Sequence, residues 1–270
     1  MGDQIDYSKL RPVRKQTSFV TSRVVSALIL REMSGTYGRS LGGYFWAVVE
    51  PALGITLLTA IFSLGFRNPP IGTNFAIFYA SGLLPFFMFN DVSTKSSQAI
   101  NFSRQLLGYK RVTFFDAILA RTILSTLTQL MVGFIVFSAI LLAYETRTVL
   151  NIPAILMSYA MALAFGMSIG TLNAVIMAYF PIWQRVWGIT TRPMVLISGV
   201  IILPQNIPQP YRDYLWYNPL IHVTGEMRAA FYYSYKADYV SPMYVFSVSI
   251  IIGVISLLFL RRYHREILEL

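Results

Sequence analysis

The chain has 270 residues, 55% of them hydrophobic and 13% charged, about half the charged share of a soluble domain. Apolar runs long enough for a bilayer core of about 30 Å recur along it, which excludes an ordinary soluble fold, and they are continuous rather than alternating, which excludes a membrane β-barrel. The net charge of +10 is spread over several basic segments rather than gathered in one stripe, so no nucleic-acid partner is expected, and the absence of cysteine excludes disulfides and thiolate chemistry. The fold class this leaves is all-α, a single polytopic membrane domain over residues 1–270.

Residues 1–43 carry seven Lys and Arg, which marks this end as cytoplasmic. A basic stretch of that length ahead of the first apolar run is not the layout of a cleavable signal peptide. Residues 17–35 predict a helix with Phe19, Val20, Val24, Ala27, Leu28 and Ile29 on one side and Ser22, Arg23, Ser26 and Glu32 mostly on the other. Such a helix lies in the membrane interface. The first span is expected at 44–66, opening with Gly43-Tyr44-Phe45-Trp46 and holding Glu50-Pro51 unusually deep. A carboxylate at that depth faces protein or water, not lipid.

The second span, 74–91, is interrupted by Gly82 and Pro85. Behind it, residues 92–112 hold Lys95, Arg104, Lys110 and Arg111 and read as a cytoplasmic loop. Within that loop Ser97–Leu107 predicts a short helix, with Ser97, Ile100, Asn101, Arg104 and Leu107 as candidates for touching a soluble partner; a solvated connector fits the sequence equally well. The third span, 114–144, would be roughly 46 Å as a straight helix, so it tilts or projects. Asp116 and Arg121 near its inner end suit structural pairing, with each other or with neighbouring helices. The fourth span is expected at 152–180, where Gly166 and Gly170 form a small-xxx-small pair that lets another helix approach closely. Spans five and six are expected at 186–203 and 243–260, the latter followed by Arg261, Arg262 and Arg265. With six spans and both termini inside, sixteen Lys/Arg fall on inner segments and five on outer ones, the expected bias.

Residues 204–241 lie between the last two spans. The part from Pro204 to Tyr235 is too polar and proline-rich to cross, yet Tyr211, Tyr214, Trp216, Tyr217 and Tyr232 make it too aromatic for a plain loop. Rings of this kind settle at a membrane–water boundary. No Gly-Lys pair and no His-Glu-x-x-His occurs, so a phosphate loop and a two-histidine metal site are not expected, and neither is a strained serine nucleophile turn. His222 reads as a hydrogen-bonded structural residue. With few charges inside the spans, the energy for any transport is expected from a separate subunit.

Two stretches carry a family resemblance. The run Arg31-Glu-Met, Tyr37-Gly-Arg-Ser40 and Gly43-Tyr-Phe-Trp-Ala-Val-Val-Glu-Pro51 resembles the start of bacterial polysaccharide-export ABC permeases of the ABC-2 type. Trp216-Tyr-Asn-Pro-Leu-Ile-His222, with Arg228 following, resembles their segment before the last span. Capsule exporters are the nearest in pattern, then O-antigen and teichoic-acid exporters. The acidic residue often found three positions after the histidine is replaced here by Gly225, with Glu226 next to it.

The resemblance implies an exporter of lipid-linked capsular polysaccharide in the bacterial inner membrane. It implies a homodimer with two separate ATPase subunits that bind ATP and Mg, no cofactor in this chain, and periplasmic or outer-membrane export proteins as further partners. It also implies an interfacial N-terminal helix, a coupling helix in the 92–112 loop, and short re-entrant helices in 204–241 with Asn218, Pro219, His222 and Arg228 at a gate. For a sugar polymer sliding over rings, Tyr44, Phe45, Trp46, Tyr179, Trp183, Trp187, Trp216 and Tyr217 are candidates, each equally suited to anchoring at the interface. Arg31, Arg39 and Arg185 would attract an anionic linker, or simply satisfy the positive-inside bias. Other cargoes on the same architecture, or a membrane-embedded glycosyl- or acyltransferase, are the alternatives.

Overall fold

Helix α3 (Phe75–Ser97) is buried around nearly its whole circumference, and the other elements follow from that. A helix apolar on every side has to be covered on every side. In this computed structural model, which describes residues 20–36, 43–107, 112–146 and 148–269, α3 is enclosed by α2 (Gly43–Gly65), α5 (Phe114–Ala143), α6 (Ile152–Tyr179) and α9 (Pro219–Phe231). The described residues form ten α-helices and no strand. Five of them, α2, α3, α5, α6 and α10 (Pro242–Glu269), are long and apolar enough to cross a membrane.

The α3–α6 contact is set by the two glycines. A Cβ on Gly166 would stand 3.0 Å from the Phe89 carbonyl, and one on Gly170 would stand 2.6 Å from the Ser96 Cβ. Their small size therefore fixes the spacing of the central helix pair, as the sequence pattern predicts. Phe89 and Phe165 stack across the same seam at 5.1 Å. Helix α10 packs along α6 and continues through Arg261 and Arg262 well beyond the expected end at 260.

Around this centre the chain is less covered. Helix α2 buries little of its surface, and α7 (Trp183–Ile197) buries none of its side chains. Helix α7 also differs from the span expected at 186–203. It is 15 residues, roughly 22 Å, and stops at Ser198-Gly199, where Gly199 takes φ +72°. A left-handed residue of this kind ends a helix at little cost only when it is glycine. Arg192-Pro193 lies inside α7.

At the C-terminal end of α3, Gln98 breaks the helix before α4 (Ala99–Leu107) begins. Helix α1 (Val20–Thr36) packs on α5, with Val25 and Leu28 set around Ala120. Of the pairings open to Asp116 and Arg121, Arg121 takes the one with neighbouring helices, while the Asp116 carboxylate closes a capping box with Thr113 at the start of α5. One sequence expectation needs correction here. Glu32 is not on an exposed polar side: it is buried against α5, while Ala27 and Leu30 of the same helix are exposed.

Candidate functional site

Four consecutive backbone carbonyls, of Ile197, Ser198, Gly199 and Val200, come off the end of α7, where a helix has no donors left for them. All four are met from α9 and its cap. Asn218 Nδ2 donates to Ile197 O at 3.0 Å, Thr224 Oγ1 donates to Ser198 O at 2.8 Å, and Arg228 donates to Gly199 O at 2.5 Å and to Val200 O at 2.8 Å. Asn218 also caps α9 itself by accepting from the Leu220 N–H, and Pro219 supplies the first helical position, where a missing N–H costs nothing. Arg228 is fully buried, 4.5 Å from the Phe78 ring of α3. A cation at the negative end of α7, facing carbonyls and an aromatic face, is favourably placed.

His222 does comparable work on the other side of α9. It accepts from the Ser241 N–H at Nδ1 (3.1 Å) and so carries its proton on Nε2, which donates to Trp216 O at 2.9 Å. The ring thus joins α8 (Tyr211–Trp216) to the start of α10. Burial pulls its pKa below the usual 6.5, and hydrogen bonds to backbone oppose that only in part. His222 is therefore structural, as the sequence reading has it.

Over this scaffold lies a cleft of about 520 Å³, lined by Gln205, Arg212, Asp213, Trp216, Tyr217, Lys236, Asp238 and Tyr239. Its rings are held in place: the Trp216 indole donates to Tyr239 O at 3.0 Å, and Tyr244 donates to Tyr217 O at 2.8 Å. Gly225 packs beneath it, where a Cβ would stand 2.5 Å from the Tyr239 hydroxyl. That contact leaves no room for the acidic side chain that look-alikes often carry at this position. Glu226 is half-buried, and burial raises its carboxyl pKa.

At the opposite end of α3 a second arginine joins three helices. Arg121 of α5 lies 2.8 Å from Glu32 of α1, close in distance though not aligned as a hydrogen bond. It also donates to Lys95 O at the end of α3 (3.1 Å) and covers the Phe102 ring of α4 at 4.2 Å. Arg31 lies 5.3 Å from the same ring. Phe102, absent from the sequence candidates, is half-exposed on α4. Ile100 instead faces inward, and Ser97 is buried with its hydroxyl on Thr94 O, while Asn101 is exposed. The side chains of Arg104 and Leu107 lie outside the described residues.

The ring candidates do not form one track. Trp216 and Tyr217 line the cleft above α9. Phe45 and Trp46 are exposed on α2. Tyr179 stands edge-on to Tyr263, Trp183 donates to Asn173 on α6, and Trp187 packs against the core. Arg31 and Arg185 stand on two different helices, α1 and α7. Arg39 and the side chain of Tyr44 lie outside the described residues.

Two Gly-x-Ser-x-Gly runs occur in the sequence, at 38–42 and 166–170. The second is mid-helix in α6, where the Ser168 hydroxyl donates to Phe165 O, so it is not the strand–turn–helix setting of a nucleophile; the first lies outside the described residues. No group of three His, Asp or Glu suited to a metal is found among the described residues.

A helical core of this kind, with long apolar helices at its centre and a short buried helix pinned between them, suits a membrane permease. The description "ABC-2 type transporter" matches residues 23–232, and the chain belongs to that family of transporter membrane proteins. Among individual relatives, the polysialic acid transport protein KpsM of Escherichia coli is 31% identical over 221 residues, which is 82% of this chain and 86% of that protein. The capsule polysaccharide export inner-membrane protein CtrC of Neisseria meningitidis is 25% identical over 93% of this chain and 97% of its own length. BexB of Haemophilus influenzae, also named a capsule polysaccharide export inner-membrane protein, is 26% identical over 81% and 82%.

Proposed function

We propose that the chain is the permease subunit of an ATP-driven exporter that carries lipid-linked capsular polysaccharide out of the cytoplasm across the bacterial inner membrane. One observation carries the reading: relatives named for polysialic acid transport and capsule polysaccharide export match this chain over most of both lengths. In this reading both termini are cytoplasmic. Helix α7 with residues 198–203 makes the sixth crossing, α1 lies in the inner interface, and α8 and α9 re-enter from the outer side. Helix α9, at 13 residues or roughly 20 Å, is too short to span, and its backbone tolerates that depth because α3 and α6 shield it.

Two copies of the chain frame the path. The weakly buried α2 and α7 are the surfaces left for that contact. Two separate ATPase subunits bind ATP and Mg and press on α4, whose exposed Asn101 and Phe102 face them. Arg121 passes that push to α1 and to the ends of α3 and α5. At the outer end, Trp216 and Tyr217 face the polymer, while Asn218, Pro219, His222 and Arg228 hold their platform. Periplasmic and outer-membrane export proteins receive the chain beyond it.

The test is complementation. This chain, expressed with its cognate ATPase in an encapsulated bacterium lacking its own permease, is expected to restore glycan at the cell surface. Polymer retained inside the cell, with the protein present at normal abundance in the membrane, sinks the reading.

A further inference from the structure

A groove of about 280 Å³ opens between α2 and α5, with Ala76 at the start of α3 also lining it. No charged side chain belongs to its lining among the described residues. Small residues make the space: Ala52 on α2, Ala76 on α3, and Ala139 and Ala143 on α5. Four alanines leave a gap that their own side chains do not fill, and protein interiors keep few such gaps empty.

The groove is long rather than round. From Val48 to Thr59 its α2 wall runs roughly 16 Å, and from Ile135 to Tyr144 its α5 wall runs roughly 13 Å. Val48, Ala52, Ile55 and Thr59 recur every three or four residues and so share one side of α2. The exposed Leu53, Leu57, Ile61 and Leu64 stand on the opposite side. The groove is therefore not the face of α2 left for a second copy.

Three of the lining residues carry a hydroxyl: Thr56, Thr59 and Tyr144. Thr56 gives its own to Ala52 O, one turn back on α2, at 2.8 Å. The Thr59 hydroxyl is buried and has no partner among the described residues. Buried polar atoms without partners are rare in folded proteins, and this one lacks an acceptor. Thr59 lies six residues from the end of α2, roughly 9 Å. Tyr144, the cap residue at the same end of α5, is exposed, and such a ring suits the head-group level.

These features specify an occupant. An apolar space of this size takes an apolar guest rather than water. Along the groove come hydrocarbon walls, then an unmet donor, then an amphipathic ring at the boundary. A glycerophospholipid has the matching order of acyl tail, ester carbonyl and head group. We propose that the groove holds one acyl chain of a phospholipid, whose ester carbonyl accepts from Thr59 Oγ1 and whose tail runs past Ile55 toward Val48. The exporter reading, on which only the leaflet depends, makes these the outer ends of α2 and α5, so the lipid comes from the outer leaflet. The tail completes the seat of α2, which buries little of its own surface.

The test uses the full-length chain in maltoside detergent, stripped of lipid and then given dioleoyl phosphatidylglycerol, with bound lipid counted by native mass spectrometry. About one lipid per chain is expected to be retained, with a higher unfolding temperature when it is present. Ala52→Leu with Ala139→Leu fills the groove and is expected to lower retention about tenfold, the scale of two methylene groups. That variant should unfold no earlier than stripped wild type. Thr59→Val keeps the shape and is expected to lower retention about fivefold, the scale of one hydrogen bond. The dialkyl ether analogue, which has no ester carbonyl, should bind wild type and Thr59→Val alike. Unchanged retention after filling the groove overturns the site, and unchanged retention in Thr59→Val overturns the ester contact. Equal retention of oleic acid overturns the phospholipid source. The chain has no cysteine, so Thr56→Cys reports on a protein occupant: a disulfide between copies in the membrane overturns the lipid in favour of a second copy. A chain that retains lipid but fails complementation sinks the exporter reading alone, and one that complements without retained lipid sinks this site alone.

Discussion

Two buried arginines stand at opposite ends of α3, and they are held differently. Arg228 meets no carboxylate among the described residues; its partners are two carbonyls of one neighbouring segment and an aromatic face. Arg121 meets a carboxylate, a carbonyl and a ring that belong to three different helices. The first arrangement completes the end of α7 and fixes it to α9. The second ties together elements that each have their own end, and in the proposed coupling it is the joint through which displacement would pass. A cation used as a helix cap instead holds one platform.

The largest effect should come from removing the cap. Arg228→Ala leaves two buried carbonyls and a cavity, with an expected loss of about 3–5 kcal/mol, seen as low membrane abundance or a large fall in unfolding temperature. Arg228→Lys keeps the charge but not the planar fork, and it should recover only part of this. If Arg228→Ala is as stable as wild type, the platform reading fails.

Gly225→Ala comes next. Its Cβ meets the Tyr239 hydroxyl, and overpacking of this kind costs about 1–3 kcal/mol. The loss should show as disorder of the cleft rings, measured by slower export at nearly normal abundance. Removing the joint should be milder for folding and sharper for coupling. Glu32→Gln is expected to cost about 1–2 kcal/mol and to leave ATP hydrolysis by the assembled transporter running without matching export. Hydrolysis and export falling together would remove the distinction between the two arginines.

The smallest effect is with pH. His222 is neutral when folded and has its pKa held below 6.5, so it favours folding above pH 6.5. That contribution is lost as pH falls below 6.5, because the unfolded chain binds the proton first. Glu226 has the opposite sign, since its raised pKa favours folding as pH falls toward the ordinary carboxyl value near 4.5. In a Glu226→Gln background, melting temperature should therefore decline below pH 6.5, and His222→Gln should flatten the decline.

Hydropathy made the long helices legible. Residues 44–66, 114–144 and 152–180 match α2, α5 and α6 to within a residue at each end, because length and apolar content decide such spans. The Gly166/Gly170 contact was also readable, since it depends on spacing within one helix. The end of α7 was not. Its termination depends on donors from Asn218, Thr224 and Arg228, and no local pattern in 186–203 shows that its last carbonyls are met from elsewhere. Glu32 was assigned to the polar side of α1 for a similar reason: its partner Arg121 is far along the chain. Phe102 carried no signal, because its value lies in the guanidinium above it. The motif around Asn218 was legible as a run of residues, whereas the burial of Arg228 and His222 depends on contacts with α7 and the start of α10 that the run does not show.

The completion of α7 by α9 also has a consequence for how the two segments settle in the bilayer. The donors for residues 197–200 lie 21 to 29 residues further along the chain. Without them the carbonyl end of α7 has no partners that hydrocarbon could replace. The end of α7 is therefore compatible with the apolar interior only when α9 is packed against it.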